Sequence, residues 1–202
     1  MGKKKRRNEA ANIREIKPEI RVLGIDDAPF TPRSKEMVDI VGVVFRGGRS
    51  VDGFMHTRVQ VDGVDATEKI ADMINRSPHY EQLRVVMLNG VTMAGFNVVD
   101  IKDLHELVKL PIIAVTRDKP DFDNIRKAIQ HLPGAEKRWR SIEKAGKIAA
   151  IHTREGETPI YVHVAGVSEE TAKHILRSTS IRSNIPEALR VAHIIASGLK
   201  QE

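Results

Sequence analysis

The sequence predicts an α/β domain: a five-stranded mixed sheet flanked by helices, with an added hairpin and C-terminal helices. Three observations predict it. Three apolar segments follow one another at short spacing near the start, as in an antiparallel meander. Two later apolar runs are separated by a helical stretch, as in a parallel crossover. The C-terminal part returns to helical periodicity.

Taken in order, residues 20–27, Ile-Arg-Val-Leu-Gly-Ile-Asp-Asp, read as a buried strand ending in two carboxylates before the turn residues Ala28-Pro29-Phe30. Residues 38–45 form a second strand stopped by Gly47-Gly48, and residues 53–61 alternate as a third. Asp65 is placed to cap a helix running to about Arg76. Leu83–Leu88 is very apolar and reads as a central fourth strand. After the stretch Gly90–Gly95, Asp100 caps a helix to about Lys109, and residues 111–116 form a fifth strand. Residues 121–132 place Ile125, Ile129 and Leu132 on one helical face, and the basic stretch 136–147 carries the one Trp, Trp139. Residues 148–152 and 160–164 bracket a turn as a hairpin. Two helices follow, Ser168–Arg177 with a Ser-Glu-Glu-Thr start and Pro186–Leu199 with Pro186 at its first position. This order is the plan of a ribonuclease-H-like domain, although patterning alone also allows other α/β folds. The expected organisation is a basic disordered tail over residues 1–12 and a single domain over 13–202.

Composition narrows the chemistry. With no Cys among 202 residues, disulfides, thiolate zinc sites, Cys nucleophiles and Cys-bound iron–sulfur clusters are excluded, so any metal must be held by oxygen or imidazole. No apolar run is long enough to span a bilayer and no apolar stretch follows the basic N-terminus, which points to a cytoplasmic protein without a membrane partner. Lys3, Lys4, Lys5, Arg6 and Arg7 supply most of the net charge of +6. In the remainder, residues 8–123 carry 15 Lys and Arg against 19 Asp and Glu, whereas residues 124–154 carry eight against two. An acidic region beside a basic one suits a protein that gathers a divalent cation in one place and a polyanion in the other.

The candidate chemistry lies at strand ends. Asp26 and Asp27 close the first strand, Asp62 the third and Asn89 the fourth, and strands one and four are expected to be neighbours. Carboxylates so placed hold Mg²⁺ or Mn²⁺ through one or two oxygens and leave positions for water and phosphate. Such a metal activates water and stabilises the leaving oxygen in phosphodiester hydrolysis. The competing explanation is turn chemistry, because Asp52-Gly53, Asp62-Gly63 and Asn89-Gly90 also suit hairpins and loops. His193 is a candidate ligand or proton shuttle, although a lone His among apolar residues is more often packed in a core. Gly90, Gly95 and Asn97 belong to a loop able to approach a flat base or a phosphate, and it is not a P-loop. Trp139, flanked by Lys137, Arg138 and Arg140, is placed to stack a base among phosphate-binding charges, or to cover a core edge. The other seven His residues show no metal-ligand spacing and are assigned no role.

The segments Gly24-Ile-Asp-Asp-Ala-Pro-Phe30, Val43-Val-Phe-Arg-Gly-Gly48 with Asp52-Gly53, and Val86–Asp100 resemble the archaeal endonuclease dU family, related to endonuclease V. The run Ser180–His193 is similar to the end of endonuclease V. The resemblance covers nearly the whole chain after the tail. It implies a ribonuclease-H-like fold, a divalent metal and cleavage of DNA near a deaminated base, deoxyuridine or deoxyinosine, as in DNA repair. By position, Asp26 matches the first metal-binding aspartate of endonuclease V. Asn89 stands where that pattern has Leu-Asp-Gly, and an amide there brings no charge to a cation. The third-strand glutamate has no match, Asp62 being the nearest carboxylate, and Arg49–Gly53 replaces the Tyr-Pro wedge.

The leading expectation is a metal-dependent endonuclease on DNA, with RNA an open alternative. Asp26, Asp62 and Asn89 hold Mg²⁺ or Mn²⁺, His193 acts near the scissile phosphate, and Asp27, Asp52 and Asp100 support them. Gly90, Gly95 and Asn97 border the base, while Lys137, Arg138, Trp139, Arg140 and the tail hold the strand. A nucleic-acid-binding module that has lost catalysis is the second reading, and an enzyme acting on a small phosphorylated molecule the third.

Overall fold

A computed structural model describes residues 16–199, so the tail expected over residues 1–12 lies outside the described residues. Strands β1 (Arg21–Asp27), β2 (Met37–Arg46) and β3 (Ser50–Gln60) form the expected antiparallel meander. Helix α1 (Ala66–Arg76) then leads to β4 (Val85–Asn89), which lies parallel to β1. A two-stranded ribbon, β5 (Thr92–Met93) with β6 (Asn97–Val98), interrupts the stretch before α2 (Ile101–Val108). β7 (Ile112–Thr116) runs parallel to β4. Helices α3 (Phe122–Ile129) and α4 (Ala135–Lys144) follow, then β8 (Ala149–Ile151), β9 (Ile160–Ala165), α5 (Glu169–Thr179) and α6 (Glu187–Gly198).

The main sheet is larger than the five strands expected, with seven in the order β3-β2-β1-β4-β7-β9-β8. The hairpin does not stand apart. β9 pairs antiparallel with β7 from Ile112↔Ala165 to Thr116↔Tyr161, which satisfies the backbone groups that β7 would otherwise leave at an open edge. Among the described residues, no helix is long and apolar enough to cross a membrane.

The alternation of strand side chains builds two cores. Leu23 and Ile25 of β1 join α1 and α2 on one face of the sheet, whereas Val22 joins α5 and α6 on the other. Each fully buried Leu or Ile contributes about 1.5–3 kcal/mol. A third, smaller cluster, around Val98, Ile129 and Ile142, ties α3 and α4 to the ribbon. Helix α6 lies directly on β1: a Cβ built on Gly24 would sit 2.3 Å from the carbonyl carbon of Ala188. Only a residue without a side chain allows that approach. Gly24 and Asp26 share the β1 face turned to α6, which brings the C-terminal helix to the end of the first strand.

Candidate active site

Asp26 is 2% exposed. Its two carboxylate oxygens join three elements. Oδ1 accepts the Nδ2 amide of Asn89 at 2.9 Å, from the end of the neighbouring parallel strand, and the backbone N–H of Asp27 at 3.0 Å. Oδ2 meets Nδ1 of His193 on α6 at 2.8 Å. A carboxylate can only accept, so His193 carries its proton on Nδ1 and the other ring nitrogen, Nε2, is left as the reactive edge. The His193 side chain is 57% exposed. The arrangement is therefore an oriented imidazole at the surface, held by a buried charge. The entry to α6 is fixed by Glu187, buried, which accepts the Arg182 N–H at 2.9 Å and pairs with Arg190 at 2.7 Å.

Asp27 emerges on the opposite face of β1 and accepts the Ala94 N–H at 2.7 Å. Burial, with the Asp26 charge beside it, pushes its carboxyl from 3.8 up to about 6. The folded chain thus holds this proton more tightly than the unfolded one. Below the unfolded value both forms are protonated and nothing is lost; as pH rises through the folded value the cost of the buried charge grows to its full size. Asp27→Asn keeps an oxygen for Ala94 and removes that cost. It is expected to raise stability at neutral pH by on the order of 2 kcal/mol and to change nothing below about pH 4, measured by urea unfolding in EDTA across the range.

Asp62 does not join the cluster. It falls beyond β3 in a turn at φ +49°, its Oδ1 accepts the Phe96 N–H at 2.8 Å, and no hydrogen bond or ion pair links it to Asp26, Asn89 or His193. Gly95 serves this contact rather than a base, because a Cβ there would lie 2.4 Å from Asp62 Oδ1. Asn97 is buried as a cap: Oδ1 accepts the Ala66 N–H at 3.0 Å, and Nδ2 donates to Gln60 O at 2.9 Å and Asp65 Oδ1 at 2.7 Å. It does for α1 what was expected of Asp65, whose side chain makes no capping bond. Asp52 pairs with Arg21 and Arg46 at the far end of β1 from Asp26, and Asp100 caps α2 and pairs with Lys144 at 3.0 Å.

Arg138 is not a free surface cation. It is 4% exposed, and its guanidinium donates to the carbonyls of Gly63, Phe96, Asp62 and Pro133, where it pins the ribbon to α4. A cation so engaged is closed to phosphate. Trp139 is partly buried in the third cluster, donates to Glu143 at 2.7 Å, and has the Arg126 guanidinium 5.2 Å from its ring centroid, which occupies a stacking face. Lys137 and Arg140 remain exposed.

A cavity of about 350 Å³ is lined by Asn89, Gly90, Phe96, Thr116, Phe122 and His163 among others. Gly90 lines this cavity, whereas Gly95 and Asn97 are not among its lining residues. His163 escaped the sequence reading, since a His within the strand pattern Ile160–Ala165 resembles any interior position.

Among the described residues no group of three or more His, Asp or Glu is gathered as a metal cage. The donors at Asp26 nonetheless fit one weakly held hard cation. A buried carboxylate offers oxygens, the neighbouring Asn89 offers one once its amide, whose N–H now faces Asp26, turns over, and Mg²⁺ commonly takes one or two carboxylates and completes its shell with water and substrate phosphate.

The endonuclease dU family model matches residues 18–200. A UPF0215 protein of Methanothermobacter thermautotrophicus is 54% identical over 192 residues, 95% of this chain and 93% of that one. The crystal structure of a protein of unknown function from Archaeoglobus fulgidus superposes with a TM-score of 0.82 at 35% identity, over 91% of this chain and 100% of that one. Endonuclease V of Ciona intestinalis, in complex with a 24mer DNA containing an inosine followed by a ribo-adenosine, matches with a TM-score of 0.58 at 16% identity, over 88% and 84%. At that identity the likeness is one of fold, the ribonuclease-H-like fold.

Proposed function

Since the chain belongs to the endonuclease dU family, we propose that it is a metal-dependent endonuclease that hydrolyses DNA beside a deaminated base, deoxyuridine or deoxyinosine, in DNA repair. The observation that carries the reading is the convergence of Asp26, Asn89 and His193 from β1, β4 and α6 on one point at the strand ends. Asp26 and Asn89 would hold Mg²⁺ or Mn²⁺, which supplies charge for the attacking and leaving oxygens. His193 presents Nε2 for proton transfer while Asp26 holds its Nδ1–H, the orientation that general acid–base work requires. Exposed Lys119, Lys127, Lys137 and Arg140 hold backbone phosphates. Their use makes binding fall steeply with salt. The DNA carried by the Ciona endonuclease V supports a nucleic acid as the ligand.

The test is cleavage of end-labelled single- and double-stranded DNA bearing one deoxyuridine or one deoxyinosine, with Mg²⁺, Mn²⁺ or EDTA. Cutting beside the lesion that needs metal is the expected result; intact strands in every condition would refute the reading.

A second reading, a binding module without catalysis, is favoured by one contact: Asn89 turns an N–H, and not a second carboxylate, towards Asp26. The variant Asn89→Asp separates the two. An endonuclease is expected to need at least about tenfold less metal for half its activity, with a similar maximal rate, because a charge has been added to the donor set. A silent module would cut only as the variant.

A further inference from the structure

His163 has no part in the chemistry described so far, yet it is the more unusual histidine. It is 4% exposed, and its Nδ1 is buried without a hydrogen-bond partner among the described residues. A buried polar atom left unpaired costs about 1–3 kcal/mol, so its presence calls for a partner that comes from elsewhere. The residue lines the same cavity as Asn89, where Val91, Phe96, Phe122, Ile125 and Ile142 make apolar walls and Thr92, Thr116, Arg117, Asp118 and Lys119 a polar side. Mostly apolar walls with a few placed polar groups are a common form of a small-molecule site.

The protonation state follows from the surroundings. Burial lowers the His163 pKa against the opposing pull of the Gly146 and Ala145 carbonyls, so the ring is neutral at physiological pH. Those carbonyls can only accept, and Nδ1 has no partner, so the single proton belongs on Nε2 and Nδ1 keeps a free lone pair. His163 thus carries one buried, unpaired acceptor and no free donor. Phe122 packs edge-on against the imidazole with centroids 6.3 Å apart. It opens α3, which is held by the small third cluster rather than by either main core, so that its displacement would uncover Nδ1 at small cost.

We propose that His163 is the specificity-determining residue of the cavity, its Nδ1 accepting a hydrogen bond from the ring N–H that deamination creates in a base. The inference rests on the endonuclease reading above and names what its pocket recognises. Cytosine presents a bare acceptor at N3, and adenine one at N1. Loss of the amino group as a carbonyl turns each into an N–H donor. One fixed acceptor therefore admits uracil and hypoxanthine alike and meets both parent bases with two opposed lone pairs. Thymine and guanine also carry the ring N–H, so their exclusion falls to the walls, against the methyl of one and the 2-amino group of the other.

The experiment measures binding in EDTA of single-stranded oligonucleotides that differ at one base, deoxyuridine, N3-methyldeoxyuridine or deoxycytidine, to the wild type and to His163→Phe. The wild type is expected to prefer the deoxyuridine strand by about tenfold, and the variant to bind all three as the wild type binds the deoxycytidine strand. No preference in the wild type, or an unchanged preference in the variant, would overturn the proposal. Should the variant not fold, the ¹⁵N shift of wild-type His163 Nδ1 decides: it must move on adding the deoxyuridine strand and stay in place with the N3-methyl strand. Cleavage with Mn²⁺ is followed in parallel. Equal cutting of the deoxyuridine and N3-methyl strands leaves the endonuclease standing and removes the role of His163, whereas a preference in binding with no cutting under any metal does the reverse.

Discussion

Asp26→Asn is expected to slow cleavage of a deoxyuridine strand by about 10³–10⁴-fold, the scale seen when a histidine loses the carboxylate that sets its tautomer. The substitution is nearly isosteric, so the packing of β1 against α6 stays. The single remaining oxygen cannot serve Asn89, the Asp27 N–H and His193 together, although all three use Asp26 in the native chain. With an amide N–H facing the imidazole, Nδ1 must become the acceptor and the proton moves to Nε2, the edge that has to take one. A negative charge for the cation is lost at the same position. Binding to the strand, carried by surface cations, should persist within a few-fold. Single-turnover cleavage beside thermal unfolding checks both halves, and a variant that cuts like its parent would take Asp26 out of the chemistry.

Gly24→Ala is the second large effect, and it acts on the scaffold. The new Cβ meets Ala188 at 2.3 Å from its carbonyl carbon and 2.4 Å from its oxygen, both backbone atoms that no rotamer change can move. Helix α6 must lift from β1, opening the core that Val22, Leu189 and Ala192 share. The expected loss is about 3 kcal/mol, or roughly 6–12 °C in Tm for a chain of this size. Because the same helix carries His193, the residual folded protein should also cut more slowly per molecule, with its metal requirement unchanged. Gly198→Ala, on the same helix with nothing within 4 Å of the added Cβ, is the control and should cost nothing.

Much of this architecture was legible in the sequence because it rests on local patterns. An apolar run ending in Asp26-Asp27 and another ending in Asn89 announce two buried strands with polar ends, and the helix after the second marks it as parallel to the strand that follows. What local pattern cannot convey is the partner of a polar side chain. Asp62 and Asn97 are acceptors that serve equally as ligands or as caps, and the donors that decide, Phe96 N–H and Ala66 N–H, lie over 30 positions away. Arg138 did carry a signal. With Ile142 and Ala145 it forms an i, i+4, i+7 face, which marks it as the inward member of a basic run whose other members are solvated. The hairpin's place in the main sheet had no such mark, because pairing with β7 depends on which edge is free once the crossovers are made.

The contact between His193 and Asp26 spans 167 positions of the chain. Synthesis proceeds from the N-terminus, and folding follows it. The three-stranded meander, β4 and the Asp26–Asn89 contact can form while the polypeptide is still growing, but the imidazole is absent until residue 193 has been added and α6 has settled over Gly24. During translation, then, Asp26 waits half-partnered, and His193 arrives only after almost all the rest has been made.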